Sequence, residues 1–498
     1  MGVSRFVSNM DRSVFALVAL PEEVAATLFA RYSRSDRGLR EELAAMLELE
    51  DDVGSIGHGG GGLERSRERA ARFHEAFVVG YGHKSVGEHA VVRLGLEGVS
   101  LLAAKAIEER RIGIAFTEKS TRYVRFERDS VVVPPGLSPE HEATYRSACE
   151  RLIMTYQELT AVVMAQITAE HPDVSKQAVR GKALDLLRGL LPTGVGTSLG
   201  ITANATALAH LIRRLSEEPD AEMRHLADLI RTEASLVVPT LLRHTEGRPP
   251  EARSIARVVE VARGLGLVNQ SVSFRRMEAH VHREDVSGHW QHDVASRILE
   301  EAGVKMVSAD TLRPDHSSAV IASYLMDRGP YENFGRALEH TRFRFRIRCD
   351  YGAWRDLQRH RIVSATRPRP SMDLGYCRSY ELDAYVVPGG PSRFSGWSVG
   401  DAFDEAMAEM RGAWESLRGT AAEAYAVPLA SMVEYRLDAN LRELAHIIEL
   451  RSAPAGHPTY RFIAQRLAQE VVGQCPWMND HLRVDMGRYD FAREARKR

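Results

Sequence analysis

Two stretches of this 498-residue chain repeat each other's landmarks in the same order. Pro192 precedes Asn204 by 12 residues and Asn204 precedes His210 by six; Pro428 precedes Asn440 by 12 and Asn440 precedes His446 by six. Upstream, Glu88-His89 opens an alternating apolar segment (Val91 to Val99), a helix-like run (Leu101 to Glu109) and then Arg110-Arg111-Ile112. Glu339-His340 opens the same succession. Its alternating run places Phe343, Phe345 and Ile347 on one face and Arg342, Arg344, Arg346 and Arg348 on the other, as a strand would. Ala353 to Gln358 then reads as the last turns of a helix, ending at Arg359-His360-Arg361. His89 stands 21 residues before Arg110, and His340 stands 19 before Arg359. Matched order at near-equal spacing indicates a tandem duplication, so the chain must adopt a fold that can be built twice.

The turn-rich break Glu246-Gly247-Arg248-Pro249-Pro250-Glu251 divides the halves, giving expected domains 1–248 and 252–498. Pro21-Glu22-Glu23 signals a helix start, with the helix closing near Tyr32-Ser33. Helical patterns cover 139–170, 178–190, 203–215 and 221–243 in the first half. In the second they cover 253–264, 291–302, 316–327, 401–425, 439–451 and 457–473. Short alternating segments supply the strands. The expected fold is α+β: two domains, each a small, mainly antiparallel sheet with several helices.

Composition narrows the function. Hydrophobic content of 44% and charged content of 27% fit a globular protein, and a net charge of −1 supplies no field for nucleic acid. No apolar run reaches membrane-spanning length, and the charged start leads to the expectation of no signal peptide. Cys149, Cys349, Cys377 and Cys475 lie far apart, as free thiols of a cytoplasmic protein would. Gly57 to Gly62, with His58, lacks the Lys-Ser/Thr ending of a phosphate loop and reads as a linker. His280-x-His282 and His289-x-x-His292-Asp293 read as solvated or locally bonded histidines rather than zinc ligands.

Chemistry concentrates at Arg359-His360-Arg361-Ile362-Val363-Ser364, where planar guanidinium forks suit phosphate or ring oxygens. On the helix Asn440 to Arg451, Leu441, Leu444, Ala445 and Ile448 form an apolar stripe, while Arg442, His446 and Glu449 share another face. Taken singly, Asn440 reads as a helix cap. The first half carries Thr117-Glu118-Lys119-Ser120-Thr121-Arg122-Tyr123 and, earlier, His83-Lys-Ser85-Val-Gly-Glu88-His89.

Together these motifs resemble the signature of flavin-dependent thymidylate synthases (the ThyX family), Arg-His-Arg-x-x-Ser-x-Asn-Glu-x-Ser-x-Arg-Tyr, split between the halves. The second half holds the front, Arg359 to Ser364, but has Thr366, Arg367, Arg369, Ser371 and Met372 where Asn, Glu, Ser, Arg and Tyr belong. The first half holds the back, with Thr117 for Asn, while Arg110, Arg111, Ile112 and Ala115 replace the front. Later elements divide likewise. Arg442 and Arg451 face Thr206 and Leu215 in the other copy, and Arg188 and Asp185 face Ala424 and Ala421; Phe334 stands opposite His83.

The resemblance implies FAD, with NADPH and methylenetetrahydrofolate as co-substrates, and reductive methylation of dUMP to dTMP. It implies flavin contacts from Arg359, His360, Arg361, Asn440, Arg442 and His446, with His83 and Ser85 nearby. It implies substrate contacts from Glu118, Ser120, Arg122, Tyr123, Arg188 and Arg451, of which Ser120, Arg122 and Arg451 bear on catalysis. Because family sites are shared among the subunits of a tetramer, a duplicated chain is expected to pair as a homodimer imitating it. The split motif leaves two other readings open: a flavin enzyme acting on another pyrimidine nucleotide, or a non-catalytic binder of flavin or nucleotide.

Overall fold

A computed structural model describes residues 3–33, 35–48, 84–122, 126, 130–243, 245, 257–258, 261–262, 264–265, 274–304, 312–329, 332–366 and 368–491. His58, His83, Tyr123, Arg367, the 246–251 break and most of the helix expected at 253–264 lie outside the described residues. The chain forms two compact units: residues 1–99, 103–119 and 197–268, and residues 100–102, 120–196 and 269–498.

In the first unit, β1 (Val91–Ser100), β2 (Ile114–Glu118) and β3 (Gly196–Asn204) form a sheet ordered β1-β3-β2, with β2 antiparallel to β3. The helix Glu22–Tyr32 begins after Pro21 and buries Ala26, Leu28 and Ala30. Leu28 joins Phe6, Val7, Leu43 and Met46 in a core cluster. Asn204 caps the helix Ala205–Ser216 by accepting from Ala207 N at 2.7 Å.

The second unit repeats the pattern with one strand more. β4 (His280–Val286), β5 (Arg342–Asp350), β6 (Val363–Ala365) and β7 (Met432–Asn440) are ordered β4-β5-β7-β6, with antiparallel neighbours. Phe343, Phe345 and Ile347 are fully buried, whereas Arg342, Arg344, Arg346 and Arg348 form an ion-paired ladder with Asp285, Glu284, Asp438 and Glu434. The helix Pro139–Glu170, capped by Ser138, packs on Lys176–Leu187 and Val399–Ser416. Two helices stop short of the expected limits. Ala221–Ser235 ends before Pro239, which disfavours helix at the residue preceding it. Val399–Ser416 ends just before Gly419 at φ 75°.

Within this unit the duplication is visible in the backbone. Thr193 N donates to Val427 O and Leu429 N to Leu191 O, both at 2.9 Å; Gly194 N donates to Tyr425 O and Ala430 N to Gly189 O, both at 2.8 Å. Pro192 and Pro428 form a bridge at the centre. Exchanging the halves maps each bond onto its mate, as an internal two-fold relation requires.

Candidate functional site

Four local devices bring the cationic residues together in the second unit. Asp350 ends β5 and caps the helix Tyr351–Leu357, its Oδ1 accepting from Ala353 N at 2.7 Å; that helix carries Asp356 and delivers Arg359-His360-Arg361. Asn440 ends β7 and caps Leu441–Ser452, accepting from Glu443 N at 2.8 Å, and Arg451 stands in the last turn. His457 caps Pro458–Gln474. From the first half, Ser175 caps Lys176–Leu187, which carries Asp185 and ends at Arg188.

Arg122 grips Asp185 through two bonds, Nε to Oδ1 at 2.7 Å and Nη2 to Oδ2 at 2.6 Å. Its Nη1 donates to Ala455 O at 3.1 Å and to Tyr460 Oη at 3.2 Å. The Arg122 and Arg451 guanidiniums lie 5.9 and 5.6 Å from the Tyr460 ring centre. Arg188 Nη1 meets Asp356 Oδ2 at 3.2 Å. Arg451 Nε donates to His360 Nε2 at 2.9 Å, and His360 Nδ1 lies 3.5 Å from Glu443 Oε1. Residues more than 160 apart in sequence thus share one bonded cluster.

Burial sets the charges. It lowers His360 to about 4, against the opposing pull of Glu443 and with help from the Arg451 charge. A neutral His360 is also what Nε2 must be to accept from Arg451. Burial and the nearby Arg188 lower His457 to about 3, and its Nε2 donates to Asp185 O at 2.9 Å. For Asp356, burial alone would raise the carboxyl, but Arg188, Arg359, Arg451 and Arg122 outweigh it and hold the group ionised. Burial likewise opposes ionisation of Asp185, and the Arg122 pair overrides it.

The remaining expected site residues are placed as follows. Ser120 Oγ accepts from Arg122 N at 3.2 Å. Arg359 and Arg361 are exposed, and exposed His446 packs edge-on to His360 with ring centres 5.7 Å apart. Arg442 donates to Phe334 O at 2.7 Å and to Glu339 Oε1 at 2.9 Å. Glu118 lies in the first unit, where its side chain is buried against Lys105 at 2.8 Å; Lys105 also contacts Glu108. Ser85 falls in the 3₁₀ turn Lys84–Glu88. Sequence reasoning passed over Asp356, His457 and Tyr460. The His457-Pro458 step is a helix-start signal that pointed to the second of these.

Strand register fixes the correspondence between the copies. Ile114 pairs with Ala203 and Val363 with Ala439, each alanine immediately preceding the capping asparagine. Arg110-Arg111-Ile112 therefore answers to Arg359-His360-Arg361, and Ala115 to Ser364. A cavity of about 470 Å³ in the second unit adjoins this cluster and is lined by Asp185, Arg188, Asp350, His457 and residues 276–279 and 377–381, among others.

The family model for thymidylate synthase complementing protein matches residues 22–240 and again 292–477. An UPF0159 protein of Chlamydia muridarum (strain MoPn / Nigg) is 32% identical, over 99% of this chain and 96% of its own. The UPF0159 protein Ta1429 of Thermoplasma acidophilum is 26% identical, over 94% and 97%. A flavin-dependent thymidylate synthase of Mycobacterium sp. (strain KMS) is 31% identical over 34% of this chain and 69% of its own. Two successive family matches in one chain, with relatives aligned end to end, accord with the internal repeat: the chain is a tandem duplication belonging to the thymidylate synthase complementing protein family.

Proposed function

We propose that the chain is a flavin-dependent thymidylate synthase-like enzyme whose site is composed from both halves, 1–248 and 252–498. The observation that carries this reading is the bonded cluster itself. Arg122, Asp185 and Arg188 come from one half, and Asp356, His360, Arg451 and Tyr460 from the other. The nucleotide phosphate takes charge-assisted bonds from Arg188 and from the Ser120–Arg122 turn. Arg451 faces the pyrimidine and stabilises negative charge developing on its carbonyl, with neutral His360 fixing the guanidinium through Nε.

The donor set fits FAD. Arg359, Arg361 and His446 are exposed, and two guanidiniums with an imidazole suit a diphosphate, while Asn440 Oδ1 caps its helix and Arg442 bonds Glu339. Arg359, His360, Arg361, Asn440, Arg442 and His446 would hold the cofactor. Methylation at the pyrimidine C5 takes its carbon from methylenetetrahydrofolate and its hydride from flavin reduced by NADPH. The protein's part is to align the rings and exclude water. We further propose that two chains pair as a dimer.

The test is an FAD titration of the stripped full-length protein, followed in the visible spectrum, and then NADPH oxidation with and without dUMP. One FAD per chain and dUMP-stimulated oxidation are the expected results. FAD uptake without dUMP stimulation would move the reading to another pyrimidine nucleotide. No uptake would leave a non-catalytic relative.

A further inference from the structure

One wall of the 470 Å³ cavity is the helix Pro458–Gln474, which contributes Pro458, Thr459 and Phe462. Another is the 3₁₀ turn Tyr380–Ala384, which contributes Tyr380 and Glu381. Arg488 also lines the cavity yet belongs to neither wall. It lies in a stretch after the turn Pro476–Asp480 that has no helix or strand of its own. The two ends of residues 485–491 are tied to the two walls, and they are tied differently.

At the near end, buried Arg461 of the wall helix donates from Nη2 to Asp485 Oδ1 at 3.2 Å and to Gly487 O at 3.0 Å. Gln465, one turn further along that helix, donates to Asp485 O at 2.9 Å, and Asp485 N donates to Ser452 Oγ at 3.1 Å. Tyr489 Oη turns back onto the same carboxylate at 2.9 Å. At the far end Phe491 makes ring contacts instead. It meets exposed His171 edge-on with ring centres 5.0 Å apart, and the Lys182 ammonium lies 5.1 Å from its ring centre. Lys182 pairs with Glu381 of the cavity lining, which brings the far end to the second wall. Between the ends, residues 486–490 are exposed. Six extended steps cover about 20 Å, enough to cross the opening of a cavity this size. Local opening begins where few bonds and little buried surface hold the chain, and here that is the Phe491 end.

We propose that residues 485–491 are a strap that opens and closes over this cavity, hinged at Asp485 and Gly487 and latched at Phe491. Release of the ring carries Arg488 away and uncovers the cavity; reseating it against His171 and Lys182 closes the cavity again. The strap thereby governs entry to a space that shares Asp185, Arg188 and His457 with the arginine cluster. The inference concerns access alone and does not depend on turnover or on flavin.

Cys377 supplies the readout. It is half-buried, whereas Cys149, Cys349 and Cys475 are buried. Its thiol stands against Ala279 and in the fields of Asp350, Glu278 and Arg276, all of the cavity lining. Burial pushes that thiol up to about 12, so its labelling is slow and the rate follows access. The experiment is a timed exposure of the full-length protein to iodoacetamide, with each cysteine peptide quantified by mass spectrometry. Phe491→Ala removes both ring contacts and should raise the Cys377 rate by about tenfold. His171→Ala removes one of them and should raise it by about threefold. Phe491→Tyr keeps the ring and should stay within about twofold of the parent. The three buried cysteines should stay unlabelled throughout, which separates release of the strap from unfolding. A Cys377 rate unchanged in Phe491→Ala, a Phe491→Tyr protein as fast as Phe491→Ala, or all four cysteines accelerating together overturns the proposal. FAD uptake is read separately on the same samples, so failure of the strap is distinguishable from failure of the flavin reading.

Discussion

The helices Ala205–Ser216 and Leu441–Ser452 are the same object used twice, and their difference is the lesson of the duplication. Each follows the last residue of a sheet strand, each is capped by that strand's asparagine, and each buries an apolar stripe. Where the second copy has Arg451, half-buried and bonded to His360, the first has Leu215, which is fully buried. One copy spent the position on packing and the other on charge. Backbone frame and cap survive in both because every helix end needs them; an arginine survives only where something remains for it to hold.

The sharpest way to break this comparison is to restore the missing arginine. Leu215→Arg places an unpaired cation in a closed core, so it costs more than about 4 kcal/mol and yields little folded protein, measured by thermal unfolding and soluble yield. A stable Leu215→Arg protein would mean that the first copy kept a vacant cation site and that the contrast is superficial.

Arg122→Ala comes next. It strands the buried Asp185 carboxylate and is expected to cost about 3–5 kcal/mol and to abolish turnover. Arg359→Ala removes an exposed guanidinium that supplies only a screened part of the field on Asp356, so stability falls by no more than about 1 kcal/mol while FAD affinity falls. Losing activity from both halves, with most of the stability lost from only one, would sharpen the composite-site reading. Full activity in either variant would break it.

How much of this was legible in the sequence follows the same division. The repeat, the strand over 342–350 and the helices over 139–170 and 441–452 were readable because periodicity and caps are local. The partners of Arg122 and Arg188 were not. Asp185 lies 63 residues from Arg122, and Asp356 lies 168 from Arg188, so no spacing rule connects either pair. Glu118 shows the converse: its motif position was plain, but its salt bridge to buried Lys105 was not, since a lone lysine in an apolar helix reads as a snorkelling surface residue.

A smaller effect concerns pH. His360 and His457 titrate at about 4 and 3 when folded, well below the ordinary histidine value of about 6.5. Below about pH 6.5 the unfolded chain takes up protons that the folded chain refuses. Their stabilisation is therefore complete above that pH and is lost as pH falls toward 4 and 3. Across that window His360 accounts for about 3 kcal/mol and His457 for about 5 kcal/mol. Unfolding midpoints from pH 8 to 4 should be level and then fall. His360→Gln should flatten part of the fall, and an unchanged slope would show that another group governs it.

The smallest effect separates scaffold from site most cleanly. Asn204→Ala and Asn440→Ala each remove one cap bond, at 2.7 and 2.8 Å, and each should cost about 1 kcal/mol. Equal losses would show that the cap is common property of both copies. Asn440→Asp then isolates what is particular to the second. Aspartate caps as well as asparagine, so stability holds, but the Nδ2 hydrogens that a cofactor carbonyl or phosphate would accept are gone and a negative charge replaces them. FAD affinity should fall by about tenfold while the midpoint stays put, and Asn204→Asp should change neither. If Asn440→Asp binds FAD as the parent does, Asn440 is a cap and nothing more, and the flavin contacts reduce to the exposed Arg359, Arg361 and His446 face.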